Sequence, residues 1–317
     1  MHPIRFLLAG MTLCVMAFAL AFGPSTSVTA QSPAPAWVPA DTGARIMRAD
    51  RLDDRMVDLV IQSPGVGIQK VRLLLPAGYE SGAGGHWPVL YLLHGSMDDY
   101  TSWTRETDVE DLTADLPILV VMPAAGKWGW YTDWWEPSEC GGLLWETFHV
   151  TELRQLLERN WQAGDERAVA GVSMGGFGAM SYAGRHPDLF KAAASFSGML
   201  DLSDSNLGSG DAIWGPKGTV DDTRQAHDPV ALAPALREAT LYVSYGSGDP
   251  GSVDDAEPSL DQREQWLAGT SEAFVTRLSE LGIPVTVDAY DAGEHDWSYW
   301  ERSLQEAMPQ LLEALGA

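Results

Sequence analysis

Short β-type runs alternate with stretches of helical period along most of the chain. Residues 56–62 and 69–75 flank a segment opening Ser63-Pro64-Gly65, which predicts an antiparallel hairpin. Residues 89–93 are unbroken apolar, as expected of a strand buried on both faces. Similar runs follow at 116–122, 168–172, 190–196, 240–245 and 284–290. Between them, residues 147–161 place Val150, Leu153, Leu157 and Trp161 on one helical face. A later helix turns Phe274, Val275, Leu278 and Leu281 inward, and a closing helix carries Trp300, Leu304, Met308, Leu311 and Leu315. Strands alternating with helices predict an α/β fold with a mostly parallel central sheet covered on both faces.

One junction carries chemistry. Ala168–Val172 runs into Gly171-Val172-Ser173-Met174-Gly175, and Phe177, Met180 and Ala183 follow at helical spacing. Strand, sharp turn and helix with a serine at the turn is the context that gives a G-x-S-x-G match meaning. The turn needs small flanking residues. It projects Ser173 Oγ from the sheet, with the helix N-terminus aiming backbone N–H groups towards it.

Composition narrows the picture. Arg5, the apolar residues 6–22 and Val28-Thr29-Ala30 read as a secretory signal over residues 1–30. A Pro/Ala-rich flexible leader is expected over 31–50 and a single catalytic domain over 51–317. Such a protein would be exported, secreted or held at the cell envelope. A net charge of −24, from 44 acidic and 20 basic residues, argues against nucleic acid, whose phosphates require clustered Lys and Arg. Cys14 falls in the signal, leaving Cys140 alone in a polar loop. No intramolecular disulfide and no cysteine-based metal site follow from it, and no cofactor or metal is implied.

In a parallel sheet, ligands gather at the carboxyl ends of the strands. There stand His94-Gly95-Ser96, Ser173, Gly246-Ser247-Gly248-Asp249 and Gly293-Glu294-His295-Asp296-Trp297. The order serine, acid, histidine is that of α/β-hydrolases. A serine hydroxyl needs a base to attack an ester carbonyl. An imidazole can take the proton and return it to the leaving group, and a carboxylate fixes its tautomer. His295 is the expected base: His94 lies in the turn expected to supply an oxyanion donor, His2 falls in the signal, and His86, His149, His186 and His227 lack strand-end placement. Backbone N–H groups of Ser96 and Met174 are expected to form the oxyanion hole. For the acid, position favours Asp249, with Asp254, Asp255 and Glu272 left open. Trp128, Trp130, Tyr131, Trp134, Trp135 and Trp145 crowd one window, either as a wall beside the serine or as core. Residues 202–237 are long and Gly/Asp-rich with few regular elements, as expected of a small cap; an inert surface loop is the alternative.

From about Met56 onward the chain resembles the antigen 85 mycolyltransferase family, and more broadly the esterase D type. The matching stretches include L-Y-L-L-x-G at 90–95, V-V-M-P at 120–123, Y-x-D-W at 131–134, G-x-S-M at 171–174, S-G-M-L-D at 197–201, W-G-P-K at 214–217 and H-x-W-x-Y-W at 295–300. The resemblance implies a Ser-Glu-His triad whose glutamate precedes F-V, which here gives Glu272. It agrees with Ser96 and Met174 as oxyanion donors. It also implies an acyl ester lipid as donor and a polyol or sugar such as trehalose as acceptor, with His94, where the family has a sugar-binding Asp, near substrate; Trp297, next but one to His295, is the other expected substrate contact. Peripheral contact with the cell envelope would follow. Where the family has Asp-Gly-Leu-Arg, two of whose side chains help hold trehalose, this chain has His94-Gly95-Ser96-Met97. A carboxylesterase and a non-catalytic wall- or matrix-binding protein are the alternatives; intact Ser173, His295 and Glu272 speak against the last.

Overall fold

The computed structural model describes residues 37–82, 85–136, 143–203, 210–251 and 260–317. The signal sequence, Cys140, Asp254 and Asp255 lie outside them. Residues 37–317 form one compact unit around a nine-stranded sheet. Its strands are β1 (Arg45–Arg51), β2 (Met56–Ser63), β3 (Gly67–Leu74), β4 (Trp87–Leu93), β5 (Leu119–Pro123), β6 (Ala163–Val172), β7 (Ala192–Phe196), β8 (Thr240–Gly246) and β9 (Thr286–Tyr290). The spatial order is β1-β2-β3-β5-β4-β6-β7-β8-β9. The first three strands and the β3–β5 pair are antiparallel, and every pair from β5 to β9 is parallel. The expected hairpin is present in register, with Met56 opposite Leu74 and Ser63 opposite Gly67.

Alternation along the central strands builds two cores. Val89, Tyr91 and Leu93 of β4 join Phe148, Leu153, Leu157, Met180, Phe274 and Leu278 on one face. Leu90 and Leu92 join Trp103, Trp300, Leu304, Met308 and Leu311 on the other. Three helices therefore cover the first face: Arg154–Asn160, the elbow helix Met174–Arg185, and Gln262–Glu280. The closing helix Trp297–Leu315 covers the second. Both faces of the central strands are packed with apolar side chains.

Three expectations are corrected. The leader does not extend to residue 50: β1 pairs with β2, and Val38 N donates to Asn160 Oδ1 at 2.7 Å. Its charged sequence R-I-M-R-A-D-R hid it, because an edge strand buries only one side and here only Ile46 is buried. The 147–161 helix opens as a π-helical turn, Thr147–Leu153, before becoming α-helical. The 202–237 stretch is not short of regular elements: its described part folds into short turns at Asp211–Trp214, Arg224–His227, Pro229–Leu232 and Ala233–Leu236. Trp214 there packs on Trp130 and Phe177.

The π-helical turn seats His149 behind the elbow helix. Its buried ring lies among Tyr131, Trp145, Phe148 and Tyr182. Nε2–H donates to Ala124 O at 2.9 Å, and Nδ1 accepts from the Tyr182 hydroxyl at 2.8 Å. Both nitrogens are thus satisfied in the neutral tautomer. Burial pushes the imidazole down to about 3. The unfolded chain binds a proton here below about pH 6.5 while the fold does not, so stability falls as pH drops from there towards 3. His149→Gln keeps a donor and an acceptor but does not titrate. Its melting temperature is expected to fall less steeply than the wild type's between about pH 6.5 and 4; equal slopes would mean the ring is not held neutral.

Candidate active site

Ser173 sits where β6 ends and the elbow helix begins, at φ 54° and ψ −118°. This is a left-handed backbone for a residue with a Cβ, and it costs roughly 1–3 kcal/mol. The turn closes only because its neighbours lack side chains. A Cβ on Gly171 would collide with the Gly175 carbonyl, and one on Gly175 with the Leu93 carbonyl. Ser173 N donates to Phe196 O at 2.9 Å, which pins the turn to the end of β7.

His295 follows β9. Its Nε2 lies 2.9 Å from Ser173 Oγ, and its Nδ1 lies 2.7 Å from Glu264 Oε2. A carboxylate only accepts, so Nδ1 carries the proton and Nε2 presents a lone pair to the serine hydroxyl. The imidazole stands edge-on to Trp300, centroids 4.8 Å apart. Glu264, on the first turn of Gln262–Glu280, is fully buried. Its other oxygen, Oε1, accepts from Ser197 Oγ and from Gly246 N, both at 2.7 Å. Three donors on one buried carboxylate offset the cost of its desolvation. Ser197 Oγ in turn accepts from Trp300 Nε1 at 3.1 Å.

The acid against His295 is therefore not Glu272. Glu272 is exposed, eight residues further along the same helix, about 12 Å away along its axis. Nor is it Asp249, whose exposed carboxylate accepts from Ser247 Oγ at 3.1 Å. The E-A-F-V word at 272–275 matched a family phrase. The better signal was Asp261-Gln262-Arg263-Glu264, a helix cap followed three residues later by glutamate. That spacing is common at helix starts, and nothing local in it points to a histidine 31 residues on.

Ser96 follows β4 and Met174 opens the elbow helix, where first-turn N–H groups have no partner within the helix. Both line the hollow over Ser173. Gly95 abuts them: a Cβ there would sit 3.5 Å from Ser173 Cβ. His94 does not face substrate. It is buried, accepts from Ala125 N through Nε2 at 2.9 Å, and turns Nδ1–H to Gly95 O at 2.7 Å. Its carbonyl accepts from the Tyr131 hydroxyl at 2.9 Å. Burial holds its imidazole below the usual histidine value. His94 braces the loop that carries Ser96.

Two lobes meet at Ser173. The larger, about 480 Å³, is walled mainly by Met97, Trp128, Trp130, Met199, Trp266 and Leu267. The smaller, about 200 Å³, lies on the His295 side and is bounded by Asp98, Arg263, Asp296, Trp297 and Trp300. The tryptophan-rich window thus divides. Trp128 and Trp130 wall the lobe, while Tyr131 and Trp145 are buried core. Among the described residues, no group of three His, Cys, Asp or Glu is placed to hold a metal ion. Among them, too, no helix is long and apolar enough to cross a membrane.

Known proteins share the sequence pattern and the fold. The family model described as putative esterase matches residues 67–311. A diacylglycerol acyltransferase/mycolyltransferase, Ag85B of Mycolicibacterium smegmatis, is 31% identical over 81% of this chain and 85% of its own length. An esterase of Mycobacterium tuberculosis is 35% identical over 76% of this chain and 56% of its own. Among solved structures, Mycobacterium tuberculosis MPT51 superposes with a TM-score of 0.67 at 25% identity, covering 84% of this chain and 99% of that one. A ferulic acid esterase gives 0.66 at 25% identity, over 83% and 98%. The chain belongs to the putative esterase family, with the α/β-hydrolase fold, and is an acyl-ester enzyme, a serine acyltransferase or carboxylic ester hydrolase.

Proposed function

We propose that the protein is an exported enzyme that moves an acyl group from an ester donor through Ser173 to a carbohydrate hydroxyl such as that of trehalose, or to water. One observation carries this reading: a single imidazole bonded at once to Ser173 Oγ and to a buried carboxylate. Ser173 Oγ attacks the ester carbonyl while its proton passes to His295 Nε2. Glu264 holds the ring in place and stabilises the imidazolium. The N–H groups of Ser96 and Met174 receive the oxyanion, each worth roughly 3–4 kcal/mol to the transition state. The tetrahedral intermediate collapses to an acyl-enzyme, and Nε2–H protonates the departing alkoxide. The acceptor then enters on the histidine side and the steps reverse.

This order assigns the lobes. The apolar lobe beside the oxyanion donors takes the acyl group. The small lobe beside His295 takes the alcohol, and its Asp98, Arg263 and Trp297 offer an acceptor, a donor and a flat face to a polyol. Asp98 and Arg263 would stand in for the sugar-binding side chains replaced by His94 and Met97. Water exclusion around the acyl-enzyme sets the balance of transfer to hydrolysis. A plain carboxylesterase is the second reading, favoured by the matched family's description.

Purified protein given a trehalose mycolate or a simpler long-chain ester, with trehalose in excess, should yield newly acylated trehalose by mass spectrometry. Ser173→Ala should lower turnover by about 10,000-fold or more. Free acid as the sole product would assign hydrolysis, and no turnover of any ester would refute the enzyme reading. On a soluble p-nitrophenyl ester, Glu264→Gln should lower kcat by roughly 1,000- to 10,000-fold. Glu272→Gln should stay within about twofold, as for an exposed residue away from the site. The reverse ranking would restore Glu272 as the acid.

A further inference from the structure

Glu264 and His295 arrive on different elements, and one side chain joins those elements directly. Asp261 caps the Gln262–Glu280 helix: Oδ1 accepts from Arg263 N at 2.9 Å and Glu264 N at 3.2 Å. A cap needs only one oxygen, and serine or asparagine would serve as well. The second oxygen, Oδ2, accepts from the backbone N–H of His295 at 2.9 Å. Asp261 N donates to Gly248 O at 2.7 Å, and Gly248 N to Gly293 O at 3.1 Å. The loop after β8, the loop after β9 and the helix start are thereby tied at one point. Gly248 has φ +81°, and a Cβ on it would collide with the Asp261 carbonyl, so the close approach depends on glycine. Burial raises the Asp261 carboxyl, but the N–H groups of His295, Glu264 and Arg263 outweigh it and hold it below the usual aspartate value.

We infer that Asp261 is a positioning residue for catalysis: its carboxylate latches the backbone of His295 to the helix turn that carries Glu264, and so fixes the imidazole between Glu264 and Ser173. The inference rests on the triad reading above. It assigns Asp261 a task that a helix cap does not have. If the latch opens, the cap can persist while the histidine loop drifts, and a shift of about 1 Å at a reacting group can cost on the order of 100-fold in rate.

The test compares Asp261→Asn and Asp261→Ser with wild type in the full chain. Asparagine has one acceptor oxygen and cannot both cap the helix and receive His295 N–H. Serine can cap but does not reach both. Each variant should melt within a few degrees of wild type, since the cap is kept. Each should lose roughly 10- to 100-fold in kcat on a soluble p-nitrophenyl ester, with KM within about twofold. The far-downfield proton NMR signal of His295 Nδ1–H, identified by its loss in His295→Gln, should broaden or move. This signal needs no turnover. It therefore separates the latch from the catalytic reading, which wild type and Ser173→Ala decide by activity. An unchanged kcat, or a loss of kcat with the His295 signal of the folded protein unmoved, would reduce Asp261 to a cap.

Discussion

The site depends on the burial of one carboxylate. Glu264 is withdrawn from water, and its oxygens are filled by His295 Nδ1, Ser197 Oγ and Gly246 N, each at 2.7 Å. A buried carboxylate tolerates neither a missing donor nor a displaced one, because the desolvation penalty is then unopposed. The three donors come from the ends of β7 and β8 and from the loop after β9. The carboxylate is thus a gauge of whether the last three parallel strands and the helix between them are correctly assembled. His295 inherits its tautomer and its place from that assembly, and Ser173 meets a base already oriented.

The surrounding structure accepts strain to bring this about. Ser173 and Ser197 both hold positive φ, at 54° and 48°, at the ends of neighbouring strands. Each is fixed by a backbone bond across the sheet, Ser173 N to Phe196 O and Ser197 N to Ser244 O. Residues in such conformations persist where the frame over-determines them, and the sheet packed on both faces supplies that frame. Met97 also lies in the left-handed region, and its N–H donates to Lys127 O at 2.8 Å. The loops carrying Ser96 and Trp128 are therefore coupled at the mouth of the apolar lobe.

Much of this was legible in the residues because the signals were local. Val89–Leu93 reads as a doubly buried strand, and Gly171-Val172-Ser173-Met174-Gly175 between an apolar run and a helical pattern reads as an elbow. β1 was missed because an edge strand carries charge on its open side. Glu264 was missed for a different reason. Its local surroundings are those of any helix start, and its role is created by tertiary contact, where that start meets Gly246 at the end of β8 and His295 beyond β9. Glu272, which the family resemblance implies, lies two turns further along the same helix. His94 misleads in the opposite way: it stands where the resembled family has a sugar-binding aspartate, but its ring turns inward to accept from Ala125 N and to donate to Gly95 O.

The central claim is that Ser173 carries the acyl group. Rapid mixing with a p-nitrophenyl ester, acid quenching and peptide mass spectrometry test it directly. The account predicts an adduct of the acyl mass on the peptide containing Ser173, formed with the burst of nitrophenol and discharged faster when a polyol acceptor is added. Turnover of the ester with no adduct there, or with the acyl group on another residue, would contradict it.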